Sequence, residues 1–464
     1  MKFHLLSFSF LGLLLGAVGT KALAQPAALT EDRVVLQNFT LKQCIEYALS
    51  HAVSVKNAQV DVETAKAQVG LVRADGLPQI NANAAMTANF KPQVALFPAQ
   101  FQDANAPLGT FVPITFQPAF SGNYGVSATQ LLFDGAFFLG LKAATVYQEL
   151  SQKGLTRSKI DVAAAVSKAY YGVVVGVERL VLIDNNYQRL EVLLRETRAL
   201  NQQGFVEKID VDRLEVTFNN LKIEKQKLER LVALSEVLLK FQMGLREEDE
   251  INISENLQNL QLAQTAWEAK MDNFDPMQRI EYSALETQRE LDRMNIRRNT
   301  LEYLPKLNLT LAYAGIAGRP ALGEMFQFGQ HWFSFGNVGL SLQVPIFDGL
   351  RKKYIGEQRR LALIKTENNM QDLRRGIGIE VKQAVLTLQN AVDNMAIQQK
   401  NRELAAEVAR VTKIKYKEGV GSNIEVVTAE NELKTTETNY YNALYEALVA
   451  KVDLDKAQGK LLEN

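Results

Sequence analysis

The sequence is poor in residues that crosslink, bind metals or catalyse. It has one cysteine, Cys44, so an intrachain disulfide is impossible. Cys44 does not follow a leader cleavage site, which excludes a lipid-modified N-terminus there, and it reads as a small buried helix residue. Histidine is nearly absent: His4 lies in the N-terminal leader, leaving only His51 and His331. No nucleophile motif, phosphate loop or metal-ligand spacing is present. An enzyme is not expected, nor is a cofactor or a metal. Charge of one sign is also lacking. Lys plus Arg and Asp plus Glu each total 52, so no charge field points to nucleic acid. Long apolar runs are missing too. Leu5 to Val18 is too short for a lone membrane helix, and no later stretch reaches the ~18 consecutive apolar residues of a helical span. Lys2, that apolar run and Ala22-Leu23-Ala24 together make residues 1–24 a signal peptide, with the mature chain starting near Gln25. An exported chain without a helical span is either soluble or enters a membrane as β-strands.

What the sequence does contain is written twice. GVSATQLLFDG ends at Gly135 and GLSLQVPIFDG ends at Gly349, with Ser127 and Ser341 at the same offset. Upstream, Leu77-Pro78 and Leu304-Pro305 each open a short alternating run. Downstream, each long helical pattern ends in a glycine turn: Gly204-Phe205 before Ile209-Asp210-Val211, and Gly419-Val420 before Ile424-Glu425-Val426. Glu215 and Glu430 also match. The order is helix, strand, strand, long helix, turn, helix, repeated once. This gives a first repeat over 25–260, with strands near 78–90 and 123–133 and a hairpin tip near 204–210. The second covers 261–464, with strands near 305–314 and 337–347 and a tip near 419–425.

The long helices are far beyond globular size. About 68 residues run from Ala136 to Gln203 and about 69 from Leu350 to Glu418. At 1.5 Å per residue each spans roughly 100 Å. Ala169, Val173, Gly176, Leu180, Ile183, Tyr187, Leu190 and Leu194 step by four and three, a heptad seam. Val381, Val385, Leu388, Val392 and Met395 do the same, and Ala384 and Ala391 add a second stripe. Two seams suit a helix with a partner on each side, as in a barrel of helices; the seams alone also fit a two-helix coiled coil. Shorter helices are expected over about Leu41–Asp75, after Asp210, over about Pro276–Glu302 and over about Asn423–Gln458. The expected arrangement stacks the first and last of these along one long helix and the middle two along the other. Gly376 and Gly378 make a bend in the second long helix plausible.

Four short runs alternate with period two. Ile80, Ala82, Ala84, Met86, Ala88 and Phe90 oppose Gln79, Asn81, Asn83, Thr87 and Asn89. Leu307, Leu309, Leu311 and Tyr313 oppose Lys306, Asn308 and Thr310. Val338, Leu340, Leu342, Val344 and Ile346 oppose Asn337, Ser341 and Gln343. The run from Tyr124 to Phe133 is less regular, because Gln130 falls on its apolar face. Each run has roughly the 9–11 residues of a tilted transmembrane strand, and an apolar outside with a polar, uncharged inside is the pattern of a water-filled barrel. A half-buried soluble sheet shows the same alternation. Four strands cannot close a barrel, and lipid does not tolerate an open edge. Two chains would give a barrel filled by its own side chains, whereas three leave a lumen, so a homotrimer is expected. The loops Lys91–Gly122 and about Gly315–Gly336 are long, as extracellular barrel loops are.

The duplicated order of Leu77-Pro78, Phe133-Asp134-Gly135, Leu304-Pro305, Phe347-Asp348-Gly349 and the turns at Gly204 and Gly419 resembles the TolC-like outer-membrane efflux family across the mature chain. The resemblance implies a mixed α and β membrane protein: a homotrimer forming a 12-stranded outer-membrane β-barrel continuous with a long periplasmic α-helical barrel. It implies a passive exit duct in a tripartite efflux or type I secretion system. Its partners would be a periplasmic adaptor, an inner-membrane pump and outer-membrane lipid. The adaptor would contact the tips at Gly204, Phe205, Gly419, Val420 and Gly421. The family's gate residues fall on Asp210, Tyr416 and Glu425, with Tyr416 donating its hydroxyl to Asp210. Thr428 and Gly421 depart from the family, which has an acid and a base at those places. Pro78, Phe133, Asp134, Gly135, Pro305, Phe347, Asp348 and Gly349 would form the barrel–helix junctions. The alternative is a soluble periplasmic coiled-coil scaffold, which would not need detergent for extraction. A passive porin would not need ~100 Å helices.

Overall fold

The computed structural model describes residues 38–253, 275–327, 329 and 331–462. The signal peptide and the boundary between the repeats lie outside them. A short strand β1 (Asn38–Phe39) leads into α1 (Leu41–His51) and α2 (Val53–Ala74). Then come β2 (Gln79–Ala88), a small hairpin β3 (Val94–Pro98) and β4 (Phe111–Thr115), and β5 (Phe120–Phe133). Helix α3 (Gly135–Gln202) and α4 (Lys208–Met243) complete the first repeat, and β6 (Asn252–Ile253) pairs in parallel with β1. The second repeat has α5 (Ile280–Leu301), β7 (Lys306–Arg319), β8 (Phe333–Gln343), α6 (Arg351–Lys417) and α7 (Asn423–Ala457).

The four long strands form one antiparallel sheet in the order β2-β5-β7-β8. Its register confirms the two faces read from the sequence, because directly opposed residues point the same way. Ile80, Ala128, Leu311 and Val338 lie in one row, and Leu309 faces Leu340 on the same side. Asn81, Ser127, Ala312 and Asn337 form a row on the other side, where Asn308 faces Ser341. Gln130 does sit on the apolar face, but at its end. Its amide donates to the Gly76 carbonyl at 2.7 Å and the Leu131 carbonyl at 2.8 Å, beside a register shift between Leu131 and Phe133. The irregularity therefore satisfies backbone carbonyls where the strand turns into a helix.

The fourth strand stops at Gln343, short of the expected 347. Pro345 has no N–H to extend a ladder. The two Phe-Asp-Gly exits consequently differ. Asp134 N-caps α3, accepting from the Ala136 N–H at 2.8 Å, and holds Lys306 at 2.8 Å. In the second repeat Gly349 and Leu350 both adopt positive φ, at 67° and 68°, and the helix starts at Arg351. Asp348 there accepts from the Lys352 N–H at 3.1 Å.

The long helices are flanked by the short ones, and the first long helix packs on short helices of both repeats. Helices α2, α4 and α5 lie along α3, and α5 and α7 lie along α6, with α7 also touching α3. The expected end-to-end stacking of the Leu41 and Asn423 helices does not form: α4 ends against α1, at Gly244 beside His51, and α7 ends against the turn before α5, at Gly459 beside Gln278. A short helix that follows a tight turn folds back on the helix before it, as an antiparallel hairpin. Cys44, Ala48 and Val55 meet Val166, Tyr170 and Val173 of α3 and Leu239 and Met243 of α4 in one core. That core buries much of the one described helix apolar and long enough to cross a membrane by composition, α3. The heptad seams are the buried ones, but Ala384 and Ala391 belong to the same α6–α7 core as Val381 and Leu388 and do not form a second seam. Helix α6 runs unbroken through Gly376 and Gly378.

The stacked ends are joined by glycines. Gly244, at φ 78°, ends α4 where a Cβ would lie 2.7 Å from the His51 carbonyl oxygen. Gly459, at φ 74°, ends α7 where a Cβ would lie 2.9 Å from the Gln278 carbonyl oxygen. Arg279 closes this second junction by donating to the Ala457 carbonyl at 3.0 Å. Gly204 also has positive φ, but open space around it. An L-residue in this region costs about 1–2 kcal/mol. Gly244→Ala adds a backbone clash to that cost and should lower the thermal midpoint clearly more than Gly204→Ala. Equal midpoints would remove the packing role given to Gly244.

Candidate functional site

The two hairpin tips are built alike. The Gly204 N–H donates to the Asn201 carbonyl at 3.0 Å and the Phe205 N–H to the Leu200 carbonyl at 2.9 Å. In the second tip the Gly419 N–H donates to Tyr416 at 3.1 Å and the Val420 N–H to Lys415 at 3.0 Å. Each is a helix stop with a left-handed glycine, at φ 79° and 75°. The stop leaves one large apolar side chain in solvent: Phe205 is 74% exposed and Val420 is 78% exposed. Gly421 has a different reason to be glycine. A Cβ there would sit 3.1 Å from the Tyr416 nitrogen.

The structure brings the two tips together. Asn423, the first residue of α7, is buried and donates from Nδ2 to the Asp210 carbonyl at 3.2 Å. Val426 packs in one core with Val211 and Leu214 of α4. Sequence reasoning missed Asn423; its place directly after the Ser422 cap was the available signal. Asp210 and Glu425 occupy the same third position of their helices, where an acid complements the dipole. The Asp210 carboxylate lies 3.9 Å from Arg213, and the exposed Glu425 donates its N–H to Ser422 Oγ at 3.4 Å. Thr428, in place of an acid, donates to its own helix at Ile424. The matched Glu215 and Glu430 both reach arginines of α3, Arg198 at 2.8 Å and Arg189 at 3.9 Å.

Tyr416 does not donate to Asp210 within the chain. Its ring packs against the tip core, and its hydroxyl is buried with no hydrogen-bond partner among the described residues. Within one chain the ring packs on the core that holds Val211, Leu214 and Val426. An unmade hydrogen bond costs about 1–3 kcal/mol. Tyr416→Phe should therefore leave the thermal midpoint unchanged or raise it. A fall comparable to losing a made bond would show that the hydroxyl is partnered.

Beside Tyr416, a groove of about 600 Å³ runs between the ends of α3 and α6. Its walls include Leu193, Leu200, Phe205, Lys413 and Gly419. Its lining mixes apolar side chains with Lys413, Lys417 and Glu196.

The junction residues lie together at the opposite end of the long helices. Pro78 leads into β2 and Pro305 into β7; Phe133, Asp134 and Gly135 join β5 to α3. A Cβ on Gly135 would lie 3.1 Å from the Leu304 side chain, so this glycine lets the start of α3 approach the start of β7. Phe347 is exposed, and Asp348 and Gly349 form the looser second exit. A further buried polar pair was not visible in the sequence. Asn186 of α3 donates to Glu437 of α7 at 3.1 Å, and burial holds the Glu437 carboxyl above its ordinary range against the pull of Asn186, Arg189 and Arg402.

A sheet with one apolar and one polar face, set on paired helices of roughly 100 Å with a docking-size groove at the far tip, defines an outer-membrane channel with a periplasmic extension. The comparisons agree. The chain matches the family described as Outer membrane efflux protein over residues 44–245 and 280–460 and belongs to it. It is 23% identical over 424 residues to the toluene efflux pump outer membrane protein TtgC and to the antibiotic efflux pump outer membrane protein ArpC, both of Pseudomonas putida. Those alignments cover 90% of this chain and 82% of each relative. Among solved structures, CusC superposes with a TM-score of 0.70 at 17% identity, covering 92% of this chain and 93% of CusC. The open-state channel MtrE of Neisseria gonorrhoeae gives 0.70 at 18%, covering 91% and 89%. At these identities the structures speak for the fold. The protein is the outer-membrane channel component of an efflux system, seated in the outer membrane and reaching into the periplasm.

Proposed function

We propose that the chain works as a homotrimer whose sheets close a 12-stranded barrel and whose helices form one periplasmic tunnel. In this arrangement an adaptor docks at the tips and an inner-membrane pump drives cargo through the passive duct. One observation carries the trimer. Helix α4 leaves Val216, Ile223, Leu234 and Phe241 exposed, and α6 leaves Ile379, Leu386, Ile397 and Leu404 exposed. Both stripes follow intervals of seven, eleven and seven residues. Because α4 climbs from the tip and α6 descends to it, the stripes match in antiparallel order at one constant offset. Each residue of the α4 stripe has a counterpart on α6, Val216 with Leu404, Ile223 with Ile397, Leu234 with Leu386 and Phe241 with Ile379, three residues farther from its tip glycine. Such stripes on the two flanks of one protomer suit burial against copies of the same chain. The free edges of β2 and β8 point the same way, since neither has an outer partner within the sheet.

Three copies of Asp210 and Glu425 near the tip would ring the narrow end with negative charge and focus a field on passing cations. The groove beside Tyr416 suits an adaptor helix with apolar anchors. A double variant, Ile223→Cys with Ile397→Cys, tests the assembly. In an oxidising periplasm it should yield a covalent trimer, and neither single variant should. Monomers alone from the double variant would refute the seam. The buried Cys44 does not compete.

A further inference from the structure

We infer that Phe333 and Phe335 form an aromatic lining on the channel wall near the outward mouth, where small uncharged aromatic solutes are held as they leave. The inference rests on the trimeric channel reading, because that reading makes the polar sheet face the lumen. Along that face, moving away from the helices, the rows change character. Gln79, Thr129 and Thr310 come first, and then Asn81, Ser127, Ala312 and Asn337. The next row holds Asn83, Gly125, Ala314 and Phe335, and beyond it Ile316 lies between Asn123 and Phe333. Within two rows, roughly 13 Å of strand at ~3.4 Å per residue, the wall passes from amides and hydroxyls to aromatic and aliphatic carbon.

These rings are not loop packing. Phe333 is 68% exposed and Phe335 is 52% exposed, and neither has an aromatic neighbour among the described residues. Trp332, next in sequence, turns to the other face and packs against Tyr124, with ring centres 5.2 Å apart and planes tilted by 56°. In a closed barrel the strand flanking β8 is the β2 of the next copy. Its residues on this face are Asn83, Ala85 and Thr87, too small to cover two phenyl rings. A hollow of about 410 Å³, bounded by Thr87, Ser121, Asn123, Ile316 and Phe333, lies against the patch. It is large enough for a single-ring solute.

The electrostatics select the same class. The strands carry one charged side chain on this face, Lys306, and its ammonium is taken by Asp134 at 2.8 Å at the helix end. The strands therefore place no unpaired charge on this face beside Phe333 and Phe335. Exposed rings offer stacking and dispersion to a neutral aromatic molecule, and they offer nothing comparable to a hydrated ion or a polyol of similar size.

The test uses the full chain purified from outer membranes and inserted in planar bilayers. Phenol or glycerol, both small and uncharged, is added on the extracellular side. Phenol should lower the wild-type conductance more than glycerol at equal concentration. In Phe333→Ser with Phe335→Ser, the apparent affinity for phenol should weaken by about fivefold, the size of a lost ring contact. Phe333→Leu with Phe335→Leu keeps apolar bulk and should fall between the two, which guards against a folding defect in the serine variant. Phenol and glycerol acting alike on wild type, or serine and wild-type channels blocked alike by phenol, would overturn the inference. Absence of any wild-type conductance would instead overturn the channel reading and this inference with it.

Discussion

Arginine at Leu309 or Leu340 should cut the yield of trimer in the outer membrane more than arginine at Asn308 or Ser341. The two pairs make a matched comparison, since Leu309 faces Leu340 and Asn308 faces Ser341 on the same two strands. Only the side of the sheet differs. An arginine on a lipid-facing strand costs about 2–4 kcal/mol at the bilayer midplane and less toward the interface, and in a homotrimer the cost falls on every copy. Single-domain stability is only about 5–15 kcal/mol, so trimer yield should fall in the leucine variants. In the other pair the guanidinium enters a water-filled lumen lined by Asn and Ser, and its cost there is small. The check is trimer yield in isolated outer membranes. Equal yields for both pairs would invert or abolish the assigned faces.

The second large effect is expected at the tips. Gly204→Arg and Gly419→Arg should abolish efflux while trimers still accumulate in the outer membrane. Neither glycine has an atom near enough to meet a Cβ, so the folding penalty is confined to the positive φ, about 1–2 kcal/mol. That is too little to undo the long buried seams. The functional loss comes from elsewhere. Gly419 and Phe205 line the groove between the hairpins together with Leu193 and Leu200. An arginine side chain there fills the space that a partner's apolar anchor would occupy. Efflux at wild-type level in both variants would remove the tips from the partner interface. Loss of trimers would show that the turns are structural instead.

The parts of this fold written in one-dimensional periods were legible. Alternation placed all four long strands, and the register later matched Asn81 with Ser127 and Leu309 with Leu340 as the two faces required. The heptad stripe through Val173, Ile183, Leu190 and Leu194 is buried as read. The stacking order was not legible, because apolar stripes on α2, α4, α5 and α7 look alike and the glycine junctions at Gly244 and Gly459 decide which helix ends meet. Identical tripeptides also misled. Phe133-Asp134-Gly135 caps a helix at once, whereas Phe347-Asp348-Gly349 spends two left-handed residues first, a difference set by Pro345 and by Lys306 lying near only the first aspartate. At the tip, the glycines and the paired acids could be placed from sequence. The contact of Asn423 with the Asp210 backbone and the unpartnered Tyr416 hydroxyl depend on how two distant hairpins lean together. The stripe intervals on α4 and α6 were present in the sequence all along. Their meaning appears only once exposure shows that no other part of the same chain covers them.

The most direct test is the native mass of the protein extracted from outer membranes in mild detergent. The account predicts that the mature chain fractionates with outer membranes, needs detergent for release, and has three times the mass of one chain, falling to one chain on heating. Release as a monomer or dimer in detergent-free buffer would contradict it.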